Sequence, residues 1–383
     1  MTEGQSAPER YFDHHSSSPL SPEARRASSE ALDAFGDPLH LHERGRAARR
    51  ALDEAREEMA SSIGAQPDEI VFTSGGAESV ALALLGVGEG VPQGRVVVSA
   101  VEHPAVLRSA GTLAGRGLEV VHVPVDRDGR IDVDRFAIEV RRPGTVLASV
   151  QHANHEVGTM QPVAEAALLA REAGVAFHTD ARPTVGRLPV DVGALGVDLL
   201  SLSARAFGGP PGSGALYARR GVRLHPIIPG DDRERRRRSG LQGLPGILGM
   251  AAGLRASLRD LADRAAAHWA LTTGLRRALE SSVSGLRLHG HPTQRTPYLV
   301  CFSLADVDAE VLIMALDQRG FRVDAGSVTT GSPHEPSPVL AAMGCPDTVG
   351  IRASVGPGTA ESDVEALVEA LGELVDALAR MRT

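Results

Sequence analysis

Histidines and carboxylates recur where apolar runs of this chain end: Glu102 and His103, then His152 and His155, then His178 and Asp180. Side chains of these types suit proton transfer near neutral pH, where imidazole is the usual carrier, or a metal site. None of the spacings repeats a ligand signature such as His-Glu-x-x-His, so no metal is expected. A second chemical feature is "DRERRRRSG" (232–240), which reads as a solvated loop or as an anion-binding one. The third is an absence: among 383 residues there is no lysine, and all 40 basic residues are arginine. Arginine stays protonated and cannot form an imine, so no side chain of this protein can make a Schiff base.

These residues need a frame, and the apolar pattern supplies one. Strand-like runs fall at 95–100, 118–123, 145–150, 175–179 and 199–203, with helix patterns between them at 103–114, 133–140 and 163–173. Alternation of that kind implies an α/β fold with a mainly parallel sheet covered on both faces. Ligands in such sheets sit beyond the carboxyl ends of the strands, where the polar clusters of this chain also lie. After Gly221 the pattern changes to a long helix at 256–279 followed by short strands and helices ending at 360–381. The expected division is a large α/β domain over 18–254 and a small α+β domain built from 1–17 and 255–383.

Bulk composition narrows the function. A net charge of -8 and only 3% aromatic residues argue against nucleic-acid binding. No apolar run reaches the roughly 18 to 20 residues of a membrane span, and the first residues lack a secretory pattern, so a cytoplasmic location is expected. The two cysteines, Cys301 in an apolar run and Cys345 before Pro346, form neither a disulfide framework nor a metal cluster.

The blocks "YFDHHSSSP", "DEIVFTSGGAES", "VEHPAV", "QHANHEVGTMQP", "FHTDARPTVGRLPVD", "RRSGLQGLPGILGM" and "GIRASVG" resemble, in order and spacing, the cysteine desulfurases of the class V aminotransferases. These are fold type I enzymes that use pyridoxal phosphate. The resemblance places the ring-stacking histidine at His103, the asparagine beside the ring at Asn154 and the carboxylate facing the pyridinium nitrogen at Asp180. It places the arginine that grips the substrate carboxylate at Arg352. His103 and Asn154 also fall on the substrate side. The phosphate cup corresponds to Gly75, Gly76 and Ser203, whose exposed N–H groups suit an anion, with Arg205 beside it.

Departures gather where covalent chemistry belongs. In "DLLSLSARAFGGPPGSGALYARRG" the family's imine-forming lysine corresponds to Ala206. Its nucleophilic cysteine corresponds to Thr329, by the register of "EPS" (335–337). Ala77, Pro183 and Leu241 replace a threonine, a glutamine and a second threonine that contact the cofactor. The expectation that follows is a protein unable to run lysine-bound desulfuration, with no covalently bound cofactor and weak binding of free pyridoxal or pyridoxamine phosphate. It is read as a repurposed enzyme using the old pocket, with His103, Asp180, Arg205 and Thr329 as its catalytic candidates. Two alternatives stay open: an inactive pseudoenzyme scaffold, and an enzyme using free pyridoxamine phosphate. Expected associations are a homodimer, a sulfur-transfer or biosynthetic protein partner, and a small anionic or amino-acid-like ligand.

Overall fold

The computed structural model describes residues 9–33, 35–305, 307–325 and 336–380. A short strand, β1 (Arg10–Tyr11), precedes helices Pro22–Leu32 and Glu43–Ser61. The central sheet then takes seven strands: β2 (Ile70–Thr73), β3 (Arg95–Ser99), β4 (Glu119–Val123), β5 (Thr145–Ser149), β6 (Ala176–Asp180), β7 (Leu199–Ser203) and β8 (Gly214–Ala218). Their spatial order is β2-β8-β7-β6-β5-β3-β4. Only β8 is reversed, pairing antiparallel with both β2 and β7. The other six strands therefore end on one edge of the sheet, at Thr73, Ser99, Val123, Ser149, Asp180 and Ser203.

Strands β2, β3, β7 and β8 are buried along their whole length, which is why they read as continuous apolar runs and not as alternation. One face packs Leu52, Met59, Phe136, Phe177 and Leu202 under the helices; the other packs Leu82, Leu84, Val98 and Leu113.

A second, antiparallel sheet combines β9 (Leu286–His289), β10 (Leu299–Leu304), β12 (Asp324–Ala325) and β13 (Ile351–Ser354) in the order β12-β13-β10-β9. Helices Leu261–Ser282 and Glu361–Arg380 cover it over a separate core that includes Phe12, Phe302 and Leu371. Strand β11 (Phe321–Arg322) pairs with β1, so the N-terminal segment is tied to the C-terminal part of the chain.

The expected single helix at 256–279 is instead two, Leu244–Leu258 and Leu261–Ser282, broken at Arg259 and Asp260. In the first, a Cβ at Gly249 would lie 2.0 Å from Ser28 Oγ, so only glycine lets this helix approach helix Pro22–Leu32.

Candidate functional site

The carboxyl edge of β5, β6 and β7 carries most of the expected residues. His103 caps helix Pro104–Gly115, with its Nδ1 accepting from the Ala105 N–H at 3.0 Å, so any proton on the neutral ring sits on Nε2. Burial first, and the nearby Arg182 charge second, push its pKa down to about 2. His103 is thus a neutral ring, packed edge-on against His155 at 5.0 Å between centroids.

Asp180 ends β6 and is 2% exposed. Burial pushes its carboxyl up, but the charge and hydrogen bonds of Arg182 outweigh that and hold the pKa at about 2. The Arg182 Nε donates to both carboxylate oxygens at 2.9 Å, and Nη2 donates to Oδ2 as well. Gly76 makes room for this arrangement: a Cβ there would lie 2.0 Å from Arg182 Cδ. Arg182 was passed over in the sequence because it reads as one more loop arginine. The signal that would have found it is the pairing of an extra glycine, Gly76, with an arginine two residues after the key acid.

Glu102 is a further member that sequence reasoning named only as part of a polar cluster. One carboxylate oxygen accepts the Gln151 N–H at 2.6 Å, while Oε2 is buried without a partner. Burial raises its pKa well above the ordinary carboxylate value.

Arg352 lies in the middle of β13 and is 2% exposed. Its Nη1 donates to the His155 carbonyl at 3.0 Å and its Nη2 pairs with Asp324, the residue opposite it on β12. Its buried Nε has no hydrogen-bond partner among the described residues. A guanidinium with a free buried donor and a half-exposed counter-ion is equipped to accept an incoming carboxylate.

The remaining expectations fare unevenly. Asn154 is fully buried: its Oδ1 accepts from the Glu156 and Val157 N–H groups at 2.8 Å, and its Nδ2 donates to the Val101 carbonyl. That amide shapes its loop, with one N–H left over. Gly75 precedes helix Gly76–Gly88 at φ 150, and nothing lies within 4 Å of where its Cβ would stand. Ser203 ends β7 opposite Gly214, and Arg205 is exposed in the turn that follows. Thr329 lies outside the described residues.

Of the four histidines weighed with Asp180 as an acid/base cluster, His103 and His155 meet, but His152 and His178 are held elsewhere. His178 is held between Ser149 and Ser201 at 2.8 and 2.9 Å, and His152 meets Thr184 at 2.8 Å, so both are committed to neighbouring hydroxyls. Among the described residues no group of three or more His, Cys, Asp or Glu could hold a metal ion. Part of the arginine run is neutralised by neighbouring carboxylates. Arg233 pairs with Asp37 and Asp231, Arg236 with Asp232 and Arg238 with Glu78.

A pyridoxal phosphate group can be tested against these residues. Asp180, His103 and the open turn at Gly75 suit a cationic ring, a stacking partner and an anion. Residue 206 does not suit a covalent link, since its methyl belongs to the apolar core and is 8% exposed.

Comparison with known proteins sets the family. A model described as aminotransferase class V matches residues 10–367. A cysteine desulfurase IscS of Dictyoglomus turgidum is 38% identical over 97% of this chain and 95% of its own, and one of Methanosarcina thermophila is 35% identical over 97% and 93%. Among solved structures, a NifS-like protein superposes with a TM-score of 0.89 at 29% identity, covering 96% of this chain and 99% of its own. An apo cysteine desulfurase of Thermococcus onnurineus gives 0.87 at 25% identity, over 96% and 95%.

These relatives overturn two expectations. A repurposed pocket, a silent scaffold and a pyridoxamine-phosphate enzyme were inferred from a few changed positions, whereas chains matching from end to end at a third or more identity are named cysteine desulfurases. The expected absence of a resident cofactor falls with them, because the fold is that of the fold type I enzymes of pyridoxal phosphate. From Arg10 to Leu367 the chain belongs to the class V aminotransferases, in the cysteine desulfurase family.

Proposed function

We propose that the protein acts on L-cysteine as a cysteine desulfurase, releasing alanine and passing sulfur to an acceptor. The observation that carries this reading is the full-length match to proteins of that name at 35 to 38% identity. Two features of the site support it. Arg352 has a buried, unused Nε for a substrate carboxylate, and Asp180 is held ionised at about 2, ready to balance a protonated ring nitrogen.

Pyridoxal phosphate, when bound, supplies an electron sink for carbon–sulfur cleavage. The chain's own residues do the positioning: Arg352 orients the amino acid, and neutral His103 covers one side of the site. The chain is divergent within its family. It has no lysine, with Ala206 in the turn after β7 and, in the sequence, Thr329 where the resemblance puts the nucleophilic cysteine. The only amine available for imine chemistry in the site is the substrate's own. The desulfurase reading therefore stands on the relatives and on the carboxylate-binding end of the site.

Both cysteines of the chain are buried. Cys301 is fully buried, and that burial, followed by the Glu156 charge, pushes its pKa up to about 12. Sulfur leaving the substrate is accordingly assigned to an external acceptor, and the acting unit to a homodimer. The test supplies L-cysteine, pyridoxal phosphate and an external thiol as sulfur acceptor to the purified protein and measures alanine. Alanine formation that disappears in Arg352→Ala supports the reading; no alanine above the cofactor-only control overturns it.

A further inference from the structure

A second cavity, of about 420 Å³, opens where the N-terminal segment meets helices Leu244–Leu258 and Leu261–Ser282 and the turn after β13. None of His103, Asn154, Asp180, Arg182 or Arg352 lines it. Its apolar wall includes Leu20, Phe207, Ala256, Val355 and Pro357.

The polar part of the wall carries excess positive charge. Arg187 donates to the His14 carbonyl and, at 3.0 Å, to Ser18 Oγ, and its guanidinium lies over the Tyr298 ring at 4.5 Å. Its Nη1 is buried without a partner among the described residues. Arg264 donates to the carbonyls of Gly186 and Ser257. Neither guanidinium forms an ion pair with a carboxylate among the described residues. The carboxylates on the wall are Glu23, already paired with Arg259, and Asp260. Three guanidiniums thus face two carboxylates. His14 completes the set: it is 5% exposed and its Nδ1 has no hydrogen-bond partner among the described residues.

We propose that this cavity binds a small monocarboxylate with an apolar body, its carboxylate between Arg187 and Arg264 and its body against Phe207 and Ala256. A guanidinium offers paired donors matched to a carboxylate, and the volume falls within the range of small-molecule sites. The inference does not depend on the desulfuration reading. The imidazoles add a pH signature. His14 and His268 are both pushed down to about 4, first by burial and then by neighbouring cations, Arg187 among them. An anion beside them raises both values, so binding takes up protons and tightens as the pH falls.

The test titrates the full-length protein with phenylacetate by calorimetry, with phenylacetamide as the uncharged control. The expected result is a dissociation constant below about 1 mM, weakened about tenfold or more in Arg264→Gln and lost in Ala256→Trp. Circular dichroism of both variants should match the parent. Affinity should rise from about pH 7 to about pH 5, and Arg352→Ala should bind as the parent does. Absence of binding up to about 10 mM overturns the proposal, as do equal affinity for phenylacetamide, no effect of Arg264→Gln, or loss of binding in Arg352→Ala.

Discussion

Replacing Arg182 with glutamine isolates what the guanidinium does for Asp180. Asp180 is 2% exposed, and Arg182 is its only ion-pair partner among the described residues. The carboxyl ionises at about 2 instead of the ordinary 3.8. At about 1.4 kcal/mol per pKa unit, that depression contributes on the order of 2 to 3 kcal/mol to stability above the ordinary value, lost as pH falls through the folded one. Without Arg182 the burial remains and the cation is gone, so the Asp180 carboxyl moves above its ordinary value. The native state then holds a proton that the unfolded chain releases, and stability falls as pH rises. Leaving the buried charge unpaired at neutral pH should cost about 3 to 5 kcal/mol. Urea unfolding followed by circular dichroism, at about pH 7 and about pH 5, reads both effects. A loss below about 1 kcal/mol at neutral pH, or an equal loss at both values, would refute the reasoning.

Other substitutions test neighbouring parts of the account. Gly76→Ala should displace Arg182 from Asp180, because its Cβ would stand 2.0 Å from Arg182 Cδ; the double variant with Arg182→Gln should be less destabilised than the sum of the singles, and strict additivity would argue against the contact. Asp324→Asn removes the residue that competes with a substrate carboxylate for Arg352, and should lower the KM for cysteine several-fold without lowering kcat, as steady-state kinetics would show. Cys301→Ala should leave alanine formation unchanged, and iodoacetamide should label Cys301 only on unfolding, since its thiol is held neutral up to about 12; rapid labelling of the native protein contradicts this. Breaking the buried pair between Arg56 and Glu234 with Glu234→Gln should cost about 3 to 5 kcal/mol in a denaturant titration, because the Arg56 charge would be left buried.

The frame was legible for a physical reason: buried parallel strands must be apolar from end to end, and their polar clusters begin where they reach the pocket edge. His103 and Asp180 were legible for the same reason, each standing beside a strand or helix end, whereas Arg352, inside β13, came only from the resemblance of its block "GIRASVG". The partners of those residues were not legible. Arg182 reaches Asp180 only because Gly76, on a different loop, leaves space for it. Asp324 meets Arg352 only through the β12–β13 register, and β12 is two residues long, too short to show a pattern. The histidines misled in the opposite direction. His152 and His178 look catalytic by type and position, yet the structure commits them to hydroxyls of neighbouring strands and turns. Function was misread most where a few changed residues, Ala206 and Thr329 above all, were weighed against the likeness of the whole chain.

Alanine formed from L-cysteine is the most direct measure of the central claim. The purified protein, supplied with pyridoxal phosphate and an external thiol as sulfur acceptor, should form alanine catalytically. Arg352→Ala should lower kcat/KM by about a hundredfold, the loss of roughly 2 to 3 kcal/mol of charge-assisted binding. Alanine formation no faster than with cofactor alone, or unchanged in Arg352→Ala, would contradict the account.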